Sequence, residues 1–141
     1  MDATDTKRRL LWHGFFIFLV SLLGGIFIPV FTNPRMGVSA HLAGITGGLF
    51  VIALGAVWDE IALSPGRAAA VFWTALSNYL GWVALIAAAV LGASQGMPVA
   101  GAGFSAAPWQ EALVFVGLAV FSVAITVCCV LVLLGLSRRA S

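Results

Sequence analysis

Few side chains in this sequence could do chemistry, and most of them lie inside apolar runs. His41 is the first candidate. Counting along a helix at +3, +4, +7, +11 and +14 puts Gly44, Ile45, Gly48, Ile52 and Gly55 on its face. Ala40, Gly44 and Gly48 also make a ladder of small residues at four-residue spacing. Two chemistries suit that pattern. In one, the glycines admit a neighbouring helix and His41 hydrogen-bonds to it. In the other, a flat cofactor lies against the glycine surface and the imidazole ligates its metal, as a single histidine commonly holds haem iron.

His13 sits in the first apolar run, roughly 20 Å in depth from His41 at the helical rise, so the two cannot clamp one haem. A packing or interfacial role is expected for it. Asn78 lies near the middle of the third run, with Thr74, Gly81, Trp82 and Leu85 on its face. A midplane amide either bonds a neighbouring helix or orients a polar substrate atom in an apolar pocket. The hydroxyls of Ser21, Thr46, Ser77, Ser122 and Thr126 can bond back to their own helices and say little. Cys128 and Cys129 are adjacent, so on a helix they point in different directions, which suits packing rather than a disulfide. A nucleophile triad, zinc signature, phosphate loop or dinucleotide fingerprint is not present. Any enzymatic chemistry must come from a cofactor or from very few side chains.

The elements that position these groups follow from composition. The chain has 141 residues, 62% hydrophobic and 9% charged, where a soluble domain carries about a quarter charged residues. Apolar runs lie near 10–31, 38–58, 68–93 and 112–136. Each has ~20 residues or more, enough to cross a ~30 Å hydrocarbon core as a helix. The period-2 alternation of a membrane β-barrel does not occur. The expected fold is all-α, a polytopic four-helix bundle in the lipid bilayer, forming one integral membrane domain over 1–141. Lys7, Arg8 and Arg9 precede the first run, which is longer than a signal-peptide core and lacks a clean small-residue cleavage site, so it reads as a retained helix.

Lys7, Arg8, Arg9, Arg67, Arg138 and Arg139 fall on one side of such a bundle and Arg35 on the other. The positive-inside rule then places both termini in the cytoplasm of a bacterial inner (cell) membrane protein. With no basic stripe interleaved with aromatics, nucleic acid is not an expected partner. The connections are 32–37, which reads as a tight turn, 59–67, and the long outer loop 94–110, which could cover a pocket mouth and carries Trp109 as an interfacial anchor.

Several segments resemble the hydroxylaminobenzene mutase family, which is related to styrene oxide isomerase. They are Leu10-Leu11-Trp12-His13-Gly14, Asn33-Pro34-Arg35-Met36-Gly37, Ala40-His41-Leu42 and Asn78-Tyr79-Leu80-Gly81-Trp82. The resemblance spans the first three helices, and the fourth by hydropathy alone. It implies an isomerase that converts an aryl hydroxylamine to an aminophenol by intramolecular hydroxyl transfer. Through styrene oxide isomerase it also implies a homotrimer with ferric haem b as a Lewis acid and a second-helix histidine as axial ligand. On this sequence the metal ligand is His41, with Gly44 and Gly48 beneath the cofactor and Arg35 pairing a propionate. Trp82 and Leu85 are expected to pack a small aromatic substrate, with Asn78 and Tyr79 as catalytic polar groups. The sequence departs from the epoxide isomerase in two places: Gly47 stands where that enzyme has asparagine, and Ala88 near where it has tyrosine. Epoxide isomerisation, non-catalytic binding or transport of hydrophobic compounds, and a purely structural membrane subunit stay open beside the mutase reading.

Overall fold

Helices satisfy the backbone without water, and this apolar chain adopts them almost throughout. The computed structural model describes residues 3–139. They form α1 (Ala3–Gly25), α2 (Pro34–Ala56), α3 (Pro65–Ala75), α4 (Asn78–Leu91), the single turn α5 (Pro98–Gly101) and α6 (Pro108–Arg139). Short 3₁₀ turns lie at Ile28–Val30 and Trp58–Glu60, and no strand occurs among the described residues.

The boundaries differ from the apolar runs for identifiable reasons. α1 begins in the polar residues before Leu10, because a helix continues past the point where its side chains leave lipid. It ends at Gly25, ahead of a turn that contains Pro29, rather than at residue 31. Segment 32–37 is largely the start of a helix, not a tight turn. Asn33 caps α2 by accepting the Met36 N–H at 3.2 Å, and Pro34 fills the first helical turn, where no donor is needed. The third run is broken between α3 and α4. There the Ser77 hydroxyl donates to the Thr74 carbonyl at 2.6 Å, and Asn78 Nδ2 donates to the Ala75 carbonyl at 2.8 Å. Side chains thus take carbonyls that the next helical turn would use. Asn78 becomes the first residue of a new helix.

The four rods α1, α2, α3–α4 and α6 run back and forth. α1 packs on α2, α2 on α4, and α6 on both α3 and α4. At one end the Lys7 ammonium pairs with Asp59 at 2.5 Å, and the Ala62 N–H donates to the Gly135 carbonyl at 3.2 Å. At the other, the Asn33 N–H donates to the Ala89 carbonyl at 2.9 Å, and Asn33 Nδ2 to the Gly101 carbonyl at 2.9 Å. There the Glu111 carboxylate also accepts the backbone N–H groups of Ser94, Gln95 and Ala106 at 3.1, 3.0 and 2.9 Å. These bonds fold the 94–107 loop onto the bundle end.

Two apolar clusters fill the interior. One gathers Leu10, Val51, Leu54, Trp58, Phe72 and the buried Cys128, and the other gathers Met36, Ala88, Ala89, Ala93 and Val114. The outside is apolar too: Leu113, Phe115, Val116, Val120, Val123 and Leu133 of α6 are all exposed. Among the described residues, Pro34–Ala56, Pro65–Leu91 and Pro108–Ser137 are long and apolar enough to cross a membrane. α1 is as long as α2, at 23 residues each. Its basic first turns keep it just outside that group, and its apolar remainder lies along α2.

Candidate functional site

The polar groups of the bundle fall into two places, each built around a histidine. His41 lies two turns into α2, half-buried against the last turn of α1. Its Nδ1 bonds the Ser21 backbone carbonyl at 2.7 Å. A carbonyl only accepts, so the neutral ring carries its proton on Nδ1 and leaves the lone pair on Nε2. Nε2 has no hydrogen-bond partner and is not enclosed. This is the arrangement in which a ligating histidine is usually held, one nitrogen fixed by a backbone acceptor and the other presented to a metal. Among the described residues, no three His, Cys, Asp or Glu side chains gather as a metal cluster. A metal on His41 therefore needs most of its ligands from elsewhere, as a porphyrin provides.

The glycine ladder has a different use from the cofactor cradle expected of Gly44 and Gly48. A Cβ on Gly44 would overlap Ser21 Oγ outright and stand 2.5 Å from Trp82 Cδ1. On Gly48 it would meet the Phe18 nitrogen at 2.8 Å and the Gly14 carbonyl at 2.9 Å. Both faces are filled by α1 and Trp82, so the ladder serves close helix approach and does not floor a cofactor. The ligand position of His41 is compatible with haem; the glycine floor is not.

Trp82 reaches from α4 into the same corner. Its Nε1 and the hydroxyl of fully buried Ser21 are buried without a hydrogen-bond partner, and both side chains abut Gly44. Such orphans are uncommon and each calls for a partner. Asn78 is one step further along α2. It is buried, and its Oδ1 lies 2.6 Å from where a Gly47 Cβ would be, so the amide fills the notch that Gly47 leaves. Leu85, expected against substrate, instead packs on the Met36–Ala88–Val114 cluster. Arg35 is exposed on the first turn of α2.

Tyr79 belongs to the second place. Successive helical residues diverge, and where Asn78 faces α2, the Tyr79 hydroxyl lies 3.0 Å from His13 Nδ1. Trp12, Phe72 and Tyr79 each meet the His13 ring edge-on. Gly14 touches Gly48 and Ile52, which sets this cluster roughly 16 Å in depth from His41 at 1.5 Å per residue. The expected partnership of Tyr79 with Asn78 and His41 is thereby corrected. Sequence reasoning passed over Ser21 and Gly25, which hold His41. The available signal was the Gly24-Gly25 pair inside the first run, three and four residues after Ser21.

A family model described as styrene oxide isomerase matches residues 6–137. Hydroxylaminobenzene mutase HabB of Ectopseudomonas oleovorans is 39% identical over 138 residues, covering 95% of this chain and 84% of that protein. Hydroxylaminobenzene mutase HabA of the same organism is 35% identical over 103 residues, covering 72% of this chain and 76% of that protein. No solved structure matches the chain.

Proposed function

Because the chain belongs to the styrene oxide isomerase family and is an isomerase, we propose that it rearranges aryl hydroxylamines to aminophenols within the membrane. Hydroxylaminobenzene is the simplest such substrate, and likeness to HabB over nearly the whole chain supports that class. The geometric observation that carries the reading is His41, fixed through Nδ1 and open at Nε2, with the Trp82 indole, its N–H unpartnered, against Gly44 three residues further along α2.

We place ferric haem b on His41 Nε2, with Arg35 as the cation offered to a propionate. The chemistry such a group supplies when bound is Lewis acidity toward the hydroxyl oxygen of the substrate. The chain's own residues do the rest. Trp82 Nε1, buried against Gly44 in the free protein, would donate to that oxygen once substrate enters the corner, as the N–O bond polarises. The Asn78 amide, already donating one N–H to Ala75, orients the nitrogen. Once further copies close the site, its apolar walls would exclude water, which would otherwise trap the electron-poor arylamine. The N–O bond breaks, a ring C–O bond forms and a ring proton moves to nitrogen, so substrate and product hold the same atoms and no electron donor is consumed. One chain leaves His41 Nε2 unenclosed, so closure of the site falls to further copies, and we propose a homotrimer. We also place both termini in the cytoplasm, since the basic residues gather at that end of the bundle.

Turnover of ¹⁸O-labelled hydroxylaminobenzene by purified protein, with its absorption spectrum recorded, tests this reading. Retained label in the aminophenol and a Soret band are expected. Solvent oxygen in the product, or a requirement for an electron donor, rejects the mechanism; a colourless active protein rejects the haem. Isomerisation of an aryl epoxide is a second reading, favoured by the Asn78 amide that stands against Gly47. Conversion of styrene oxide in the same assay decides between them.

A further inference from the structure

His41 could hydrogen-bond to α1 only if the helix surface beside Ser21 were bare. The residue there is Gly25, the last of α1. A Cβ on Gly25 would stand 2.7 Å from His41 Nδ1 and 2.8 Å from Cε1, closer than carbon tolerates. Neighbouring Gly24 differs: its Cβ would meet nothing nearer than Trp82 Cζ2 at 3.9 Å, an ordinary contact. Both glycines end the same helix, so the gain in helix propensity on substitution by alanine does not distinguish them. What distinguishes them is the imidazole.

We infer that Gly25 is the positioning residue of His41. Its missing side chain lets the ring lie on the last turn of α1 and donate Nδ1–H to the Ser21 carbonyl, which turns the Nε2 lone pair outward. A methyl at position 25 pushes aside the ring, the most mobile of the groups it meets, and breaks that bond. The ring can then adopt the other tautomer, with its proton on Nε2 and no lone pair to present. The three atoms nearest a Cβ at position 25 all belong to the His41 ring, and Gly25 has no positive φ that would call for glycine. The inference deepens the reading of His41 as a ligand, yet its test reads the imidazole itself and not turnover.

The test uses the full chain in detergent, with ¹⁵N-labelled histidine and thermal unfolding, in wild type, Gly24→Ala, Gly25→Ala, His41→Ala and Gly25→Ala/His41→Ala. The histidine spectra are taken on protein prepared without haem, so that a paramagnetic iron does not mask the ring. In wild type and Gly24→Ala, His41 should show a protonated, hydrogen-bonded Nδ1 and a bare Nε2. In Gly25→Ala that pattern should be lost or mixed. Gly25→Ala should lower the Tm in the wild-type background and leave it unchanged or raised in the His41→Ala background, because the coupling runs through the ring. If Gly25→Ala alone does not fold, recovery of folding in the double variant supports the inference. It is overturned by an unchanged His41 pattern in Gly25→Ala, by equal Tm changes in both backgrounds, or by a double variant that also fails to fold. A colourless wild type with these couplings intact would reject the haem and leave Gly25 in its role.

Discussion

The two histidines of this bundle stand on adjacent antiparallel helices and bond through the same ring atom, yet their partners make them different reagents. His13 Nδ1 meets the Tyr79 hydroxyl, which can donate or accept. Either tautomer satisfies that pair, and the ring is walled by Trp12, Phe72 and Tyr79. His41 Nδ1 meets a backbone carbonyl, which can only accept, and its neighbours are Gly25, Ser21 and Gly44, with Trp82 across the glycine. A main-chain acceptor fixes the proton and so presents a lone pair at Nε2; a phenol partner fixes neither. Inside an apolar bundle, the more useful histidine is the one whose partner leaves it fewer choices.

The largest effect should come from removing each ring in turn. Outer-shell partners of metal ligands already cost 10–100-fold when lost, so His41→Ala should reduce turnover by more than about 100-fold and abolish any Soret band. His13→Ala should keep turnover within about threefold, its loss appearing as a lower Tm. Equal losses of activity in the two variants would erase the distinction.

Gly44→Ala comes next. Alanine gains up to about 1 kcal/mol over glycine in a helix interior. Overpacking typically costs about 1–3 kcal/mol, and here the new methyl overlaps Ser21 Oγ and approaches Trp82. The clash should win, lowering the Tm by several degrees and displacing α1 from His41. Gly66→Ala is the control, since a Cβ there meets nothing within 4 Å. A Gly44→Ala protein with wild-type Tm would show that the ladder is not tightly packed.

Trp82→Phe should separate binding from stability. It deletes an indole N–H that has no partner in the free protein, which offsets the packing lost where the larger ring fills the corner at Gly44, so the Tm should change little. A hydrogen bond to substrate is worth about 0.5–1.5 kcal/mol net, so kcat/KM should fall about two- to tenfold. Unchanged kinetics would remove Trp82 from substrate contact.

What was legible in the sequence, and what was not, follows the same physics. Helical rods were legible because long apolar runs admit few other structures, and His41 stood out because polar groups are rare at that depth. Their ends were less legible. Hydropathy sees where side chains leave lipid, whereas α1 continues through Thr4–Arg9 and α2 begins at an Asn-Pro cap. The Ser77–Asn78 break escaped because it depends on which carbonyls the side chains choose. The glycine face of α2 was recognised by its spacing, but spacing does not say whether a helix or a cofactor covers it; Ser21 and Phe18 do. Tyr79 was expected to act with Asn78, but neighbouring residues on a helix point apart.

Tyr79→Phe should give the smallest change, and it tests the division of the molecule into two places. The substitution keeps the ring and its edge-on contact with His13 and removes only the hydroxyl. One neutral hydrogen bond is worth about 0.5–1.5 kcal/mol net, and His13 is only half-buried, so the imidazole is not left wholly without alternatives. The expected outcome is a Tm lowered by a few degrees at most, with kcat and KM unchanged. Were Tyr79 a catalytic group, losing its proton would reduce kcat by the 10²–10⁴-fold typical of general acid–base catalysis. A loss of that size could not pass through a hydroxyl roughly 16 Å in depth from His41 at the helical rise. It would mean that the reaction occurs at the His13–Tyr79 pair, and that His41 serves some other purpose.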